Sequence, residues 1–331
     1  MQIQDHHDID ARRFREEIMP AAQPAVFRGL AADWPAVRAA TSAEGIAAYL
    51  TDHAADHACD MLIGPPEIHG CFFYNADMSG LNFERRPSSL PEIVAALMAA
   101  LHDPAPPAIA AQAIEARTTL PGFSDTHRLD LIGIPVAPRL WIGNQVVVSA
   151  HHDMFSNIAV VVAGKRRFTL FPPDQASNLA IGPFEFTPAG TPVSLIDFDA
   201  PDPARFPGFA DALAVSQTAD LAPGDAIYIP YMWWHHVRAT ERFNMLANYW
   251  WNEAPPAQPG LQPIDALVHA FLAFSGLPAE QRAAWAPMFE QLVFAEDAAA
   301  HVPAERRGIR GTLGEDVKHR IRQQLGGLMT R

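Results

Sequence analysis

The chain has 331 residues, 49% of them hydrophobic and only 18% charged, the composition of a globular protein with a sizeable core. Its net charge of −13 argues against a DNA or anionic-membrane surface, which needs clustered Lys and Arg, although a local basic patch for a small RNA fits within such a total. Two cysteines, Cys59 and Cys71, offer neither a disulfide framework nor a cysteine zinc motif; with no leader pattern at Met1–Asp8 and no run of membrane-spanning length, they suggest a cytoplasmic protein.

In chain order, Asp5-His-His-Asp8 has the look of a metal site but lies in a polar leader, where such residues are solvated. Gln23–Leu30 reads as a short strand ending at Gly29. A helix is predicted over Ser42–Leu50, with Thr41 or Ser42 as its cap. His53 and His57 are four apart, a spacing zinc ligands use on a helix, but no Glu follows the first, and an exposed polar turn explains them. Cys71–Tyr74 is strand-like, and Ser88–Leu101 is an amphipathic helix with serine caps and Pro91 in its first turn. Residues 103–140 are Pro-rich and read as loops with one short helix. From Leu140 to about Trp251, short β-rich runs alternate with Gly, Pro and Asp turns, as in a barrel or sandwich. After a linker, Glu253–Gly260, helices are predicted over Asp265–Ser275, Ala279–Phe294 and Glu315–Leu328. The expected organisation is 1–139 as elements packed on the core, 140–256 as the β domain, and 257–331 as a helical region.

The stretch Gln145–Asn157 carries the chemistry. Three valines, stiff at χ1, make it a strand. If that strand runs on, His151, Asp153 and Asn157 share one face and His152 takes the other. An imidazole and a carboxylate on one wall are two-thirds of the 2-His-1-carboxylate triad that holds non-haem Fe(II), although H-x-D alone is common. Trp233-Trp-His-His-Val237 offers the missing histidine, and parity does not choose between His235 and His236. In Lys165–Phe171, Arg166 alternates with Phe168 and Leu170 and should point inward. A buried guanidinium is costly unless a carboxylate pairs with it: a structural Asp or Glu, or, in an Fe(II) oxygenase, the far end of 2-oxoglutarate. Along Phe243–Trp251, Asn244, Leu246, Asn248 and Trp250 fall together.

His151-His-Asp153, Asn157, Gly164–Gln175, Pro223–Pro230, Trp233–Val237 and Asn248-Tyr-Trp250 together resemble the JmjC/cupin-like family of Fe(II)/2-oxoglutarate oxygenases, over at least residues 140–256. Pro24–Leu30, Trp34-Pro35 and Phe72–Tyr74 are similar to its N-terminal part. The resemblance implies a mainly β fold: a double-stranded β-helix, or jelly-roll cupin core, with flanking N-terminal helices and a C-terminal helical segment. It implies His151, Asp153 and His235 as metal ligands, the last chosen over His236 because the family's ligand precedes x-Val. The far end of 2-oxoglutarate falls to Arg166, where the family usually has Lys, with Lys165 as the neighbouring candidate. Asn157 and Asn248 match residues near the reactive end of the co-substrate. A hydroxyl that often assists falls near Val148 or Ser149, and Val148 has none.

The implied chemistry uses Fe(II), 2-oxoglutarate and O2, releases succinate and CO2, and hydroxylates a peptide or protein side chain. Hydroxylation of a small molecule or a modified RNA base is a second reading. A metal-binding cupin that senses without turnover is a third, against which an inward Arg166 speaks. Phe73, Tyr74, Phe155, Trp234 and Trp250 are candidates for lining the pocket, of which one or two are expected to do so. Trp285, Met288, Phe289 and Leu292 recur at helical spacing, and the resemblance implies a homodimer through the C-terminal helices.

Overall fold

The computed structural model describes residues 1–253, 262–296, 298–311 and 313–329, in two compact units, Met1–Glu253 and Ala254–Arg331. Most of the linker expected at Glu253–Gly260 lies outside the described residues.

The strands of the first unit are β1 (Gln4–His6), β2 (Ala25–Phe27), β3 (Ala58–Gly64), β4 (Glu84–Ser89), β5 (Ala108–Glu115), β6 (Arg139–Gly143) and β7 (Val147–His152). They continue as β8 (Ser156–Ala163), β9 (Arg166–Phe171), β10 (Gln217–Leu221), β11 (Ala226–Ile229), β12 (Trp234–Ala239) and β13 (Asn244–Trp251). Two sheets result: a large one in the order β1-β2-β11-β8-β13-β6-β5-β3-β4, and a small one, β10-β9-β12-β7. Apart from the parallel pair β1–β2, the strand pairs are antiparallel. This is the mainly β jelly roll expected from the sequence.

The strand through His151 does not run on as read from its valines. It stops at His152; Asp153–Phe155 turn the chain across the sandwich, and β8 begins in the other sheet. Asn157 therefore faces the same space as His151 from the opposite wall. The return is also a crossing. Gly164, at φ +70°, sends the chain back from β8 to β9 in the small sheet.

Strand β8 is buried along its whole length, as suits a central strand covered on both faces. Ala159 and Val161 meet Phe168, Leu170, Ile227, Ile229 and Val237 between the sheets. Ile158, Val160 and Val162 point the other way, into a core shared with two helices. Helix Ala43–His53 is capped by Ser42, whose hydroxyl accepts from Gly45 N, and helix Leu90–Ala99 carries a full capping box between Ser89 and Glu92. Leu50, Leu90, Ile93 and Leu97 are buried completely there, each worth about 1.5–3 kcal/mol.

Several expectations are corrected. The stretch Asp52–Asp60 is only partly a turn: the helix extends to His53 and β3 begins at Ala58, so His53 and His57 share no helix face. Within the Pro-rich segment 103–140, Ala108–Glu115 is a full strand. Cys71–Tyr74 forms isolated bridges, Cys71 to Val147 and Tyr74 to Leu81, rather than a strand.

In the second unit, helices span Pro263–Phe274 and Glu315–Met329. The helix expected over Ala279–Phe294 is broken into Ala279–Ala283, Ala286–Phe289 and a π-turn, Glu290–Phe294, the first break coming just before Pro287, which has no N–H to donate back to Ala283. No described helix is long and apolar enough to cross a membrane.

Candidate active site

His151 and His235 face each other across the β7–β12 ladder, where they are direct register partners. Just beyond them the register shifts: Val237 pairs with Val148, so β7 holds one more residue than β12 over that interval. This bulge changes the alternation and lets both Val148 and His151 line the cavity. Ser149 turns instead toward Cys71 Sγ, 4.0 Å away, so neither residue at the expected hydroxyl position offers one to the cavity.

The two imidazoles are fixed alike. His151 Nδ1 lies 2.9 Å from the carbonyl of Ser149, and His235 Nδ1 lies 3.1 Å from that of Trp233, each two residues back along the chain. A carbonyl only accepts, so Nδ1 carries a proton in each and Nε2 is the nitrogen left for a metal. Their ring centroids are 4.2 Å apart. Burial, reinforced by nearby His151, drives the pKa of His235 well below its ordinary value and keeps it neutral, the form that ligates metal. Asp153 comes from the turn after β7, with its backbone carbonyl accepting from Met232 N at 3.2 Å. Burial pushes its carboxyl pKa up, and Oδ2 is buried with no hydrogen-bond partner. Ligand atoms of His151, Asp153 and His235 all lie within 4.8 Å of one another, the one such metal-binding group among the described residues. Two imidazoles held through Nδ1 and an unsatisfied buried carboxylate fit a divalent cation of the Fe(II) type.

His236, the alternative at that motif, is on the opposite face. It stacks on Phe198 at 4.3 Å and 10°, and burial takes its pKa down to about 4. His152 packs edge-on against Trp234, also away from the cavity.

Arg166 alternates inward as expected and is 3% exposed, while Arg167 points out to Asp220 at 2.7 Å. No carboxylate among the described residues pairs with Arg166; its Nε is buried without a partner, and burial lowers its pKa to about 10. Lys165 lies at the surface, 3.5 Å from Glu241. Asn157 on β8 and Asn248 on β13 are diagonal neighbours across that ladder, each with a buried, unpartnered Oδ1.

All six residues line one cavity of about 110 Å³: His151, Asp153, His235, Arg166, Asn157 and Asn248. Asn244, grouped with Asn248 by alternation, does not join them. The β13 register shifts between Met245 and Leu246, and the Asn244 amide donates to the carbonyl of Asn144 at 3.1 Å. Of the five aromatic candidates, Trp250 lines the cavity. Phe155 stacks on it from an exposed position, Phe73 and Tyr74 pack on each other, and Trp234 is core behind the sheet. Sequence reasoning missed Trp141 and the pair Gln112–Ala113. The latter sit in a bulge of β5 where Ala113 takes φ +54° and its carbonyl accepts from Arg139 at 3.0 Å. Nothing in the pattern of an Ala-rich run announces such a bulge.

A family model described as a cupin-like domain matches residues 11–257. Over 133 residues the chain is 30% identical to human tRNA wybutosine-synthesizing protein 5, a stretch covering 40% of this chain and 35% of that protein. It is 31% identical over 140 residues to the human bifunctional peptidase and (3S)-lysyl hydroxylase JMJD7, covering 36% of this chain and 42% of the relative. Lysine-specific demethylase JMJ31 of Arabidopsis thaliana is 28% identical over 132 residues, covering 40% and 22%. The chain thus spans less than half the length of these curated relatives. With the family model running through both sheets and across all six cavity residues, the chain belongs to the cupin-like family of JmjC type.

Proposed function

We propose that the chain is an Fe(II)- and 2-oxoglutarate-dependent hydroxylase that acts on a peptide or protein side chain. The observation that carries this reading is Arg166, a buried guanidinium with no protein carboxylate, aimed into the same cavity as His151, Asp153 and His235. The triad accounts for a metal; only an anionic ligand beside that metal accounts for the cation.

His151, Asp153 and His235 would hold the iron. When bound, iron with 2-oxoglutarate and O2 supplies oxidation of a substrate C–H bond to an alcohol, with succinate and CO2 as co-products. Arg166 binds the far carboxylate of the co-substrate through its planar fork, a match that Lys provides only as a point charge. The amides of Asn157 and Asn248 face the reactive end. Val148, Phe168, Ile229, Val237 and Leu246 form the apolar wall that keeps water from it.

The test is 2-oxoglutarate binding with and without Mn(II) or Fe(II), followed by succinate formation driven by peptide pools and, separately, by tRNA. Metal-dependent binding and peptide-driven succinate are expected. A response to tRNA alone would favour the reading suggested by the wybutosine-synthesizing relative, and binding without turnover would favour a sensor.

For the C-terminal unit we propose a homodimer contact. Leu272, Val293 and Phe294 are 68%, 62% and 69% exposed, and Trp285, Met288 and Leu292 are exposed beside them in the sequence. Apolar surface of this kind marks an interface. Light scattering at micromolar concentration should return a dimer mass, and a monomer mass would overturn the proposal.

A further inference from the structure

The three ligand residues are not equally restrained. His151 and His235 are each pinned through Nδ1 to a backbone carbonyl, whereas Asp153 follows β7 in a turn and its Oδ2 has no hydrogen-bond partner. Besides the two histidines, Trp250 of β13 lines the cavity with this carboxylate. Neither Trp250 Nε1 nor Asp153 Oδ2 has closed a hydrogen bond, and both are buried. Indole Nε1 only donates and a carboxylate only accepts, so each is the complement the other lacks.

The ring cannot easily turn away. Phe155 stacks on it at 6.1 Å and 17°, and Trp141 meets it edge-on at 5.2 Å and 75°. Because Phe155 belongs to the same turn as Asp153, this stacking ties the indole to that turn.

We propose that Trp250 is a positioning residue for the metal carboxylate: its indole N–H holds Asp153 in the orientation in which one oxygen and the two histidines share an ion. A carboxylate oxygen has two lone pairs, so an N–H on one of them leaves Oδ2 the other for a metal. Partners outside the ligand set commonly govern metal affinity in this way. The inference rests on the metal reading given above.

The test replaces Trp250 with 3-benzothienylalanine, which keeps the ring shape and exchanges N–H for sulfur, alongside Trp250→Phe. Mn(II) affinity is followed by electron paramagnetic resonance on the full chain. Both variants should bind Mn(II) roughly 10- to 100-fold more weakly than the parent chain. If the benzothienyl chain binds within twofold of the parent, the ring only packs and the proposal is overturned, whatever Trp250→Phe does. A parent chain that takes up no Mn(II) overturns the metal reading along with it.

Discussion

His235 Nε2 stands 3.7 Å from Asp153 Oδ2, and that oxygen has no hydrogen bond of its own. A neutral imidazole and a buried carboxylate at this separation are a site that a divalent cation completes. Mn(II) at 100 times its Kd should therefore stabilise the parent chain by about 2.7 kcal/mol in a thermal or urea titration. Asp153→Ala and His151→Ala should show no such shift and should lose substrate-dependent succinate formation. Unchanged turnover in either variant would remove the oxygenase reading.

Arg166→Met separates binding from stability. Truncating one partner of a buried charge pair costs about 2–5 kcal/mol, so 2-oxoglutarate affinity in the presence of Mn(II) should fall at least tenfold by calorimetry. The ligand-free variant should melt higher than the parent, because an unpaired buried cation has been exchanged for an apolar chain of similar length. Arg166→Lys should retain part of the affinity. Equal 2-oxoglutarate binding by the Met variant would assign the role elsewhere.

Gly164→Ala probes the crossing between sheets. Gly164 sits at φ +70°, and a Cβ there would run into the Asn244 side chain and the carbonyl of Phe243. A cost of at least 1–3 kcal/mol is expected in urea unfolding, since backbone strain and the close contact add.

Buried neutral histidines set the acid limit of the metal-free protein. His236 has a folded pKa of about 4 against an ordinary value of 6.5. The unfolded chain thus binds a proton first as pH falls; the stability is complete above pH 6.5 and is lost between 6.5 and about 4, on the order of 3 kcal/mol. His127 acts in the same direction: burial lowers its pKa, and its neutral Nε2 accepts from Ala36 N at 3.2 Å. Urea midpoints at pH 8 and pH 5 should differ accordingly, and His236→Phe should flatten the difference.

Much of the site was legible because its information is local. Alternation turned Arg166 inward, and the resemblance separated His235 from His236, a choice the β12–β7 register displays and parity alone does not contain. What stayed hidden depends on partners far away in sequence. Strand β5 reads Ala-Ile-Ala-Ala-Gln-Ala-Ile-Glu, with little β propensity of its own; it is a strand because β6 and, over three residues, β3 flank it. Asn157 was assigned to the face of His151 by counting along one strand. It reaches the cavity for another reason, since the turn at Asp153–Phe155 moves it to the opposite sheet.

That turn has a consequence for the span of the site. His151, His235 and Arg166 stand on the small sheet, Asn157 and Asn248 on the large one, and facing sheets lie about 10 Å apart. The distance between the two sets of residues is therefore set by the two sheets, each held by its own ladders. The fold is in this sense a gauge: the span between the histidines and the amides is the spacing of the two sheets.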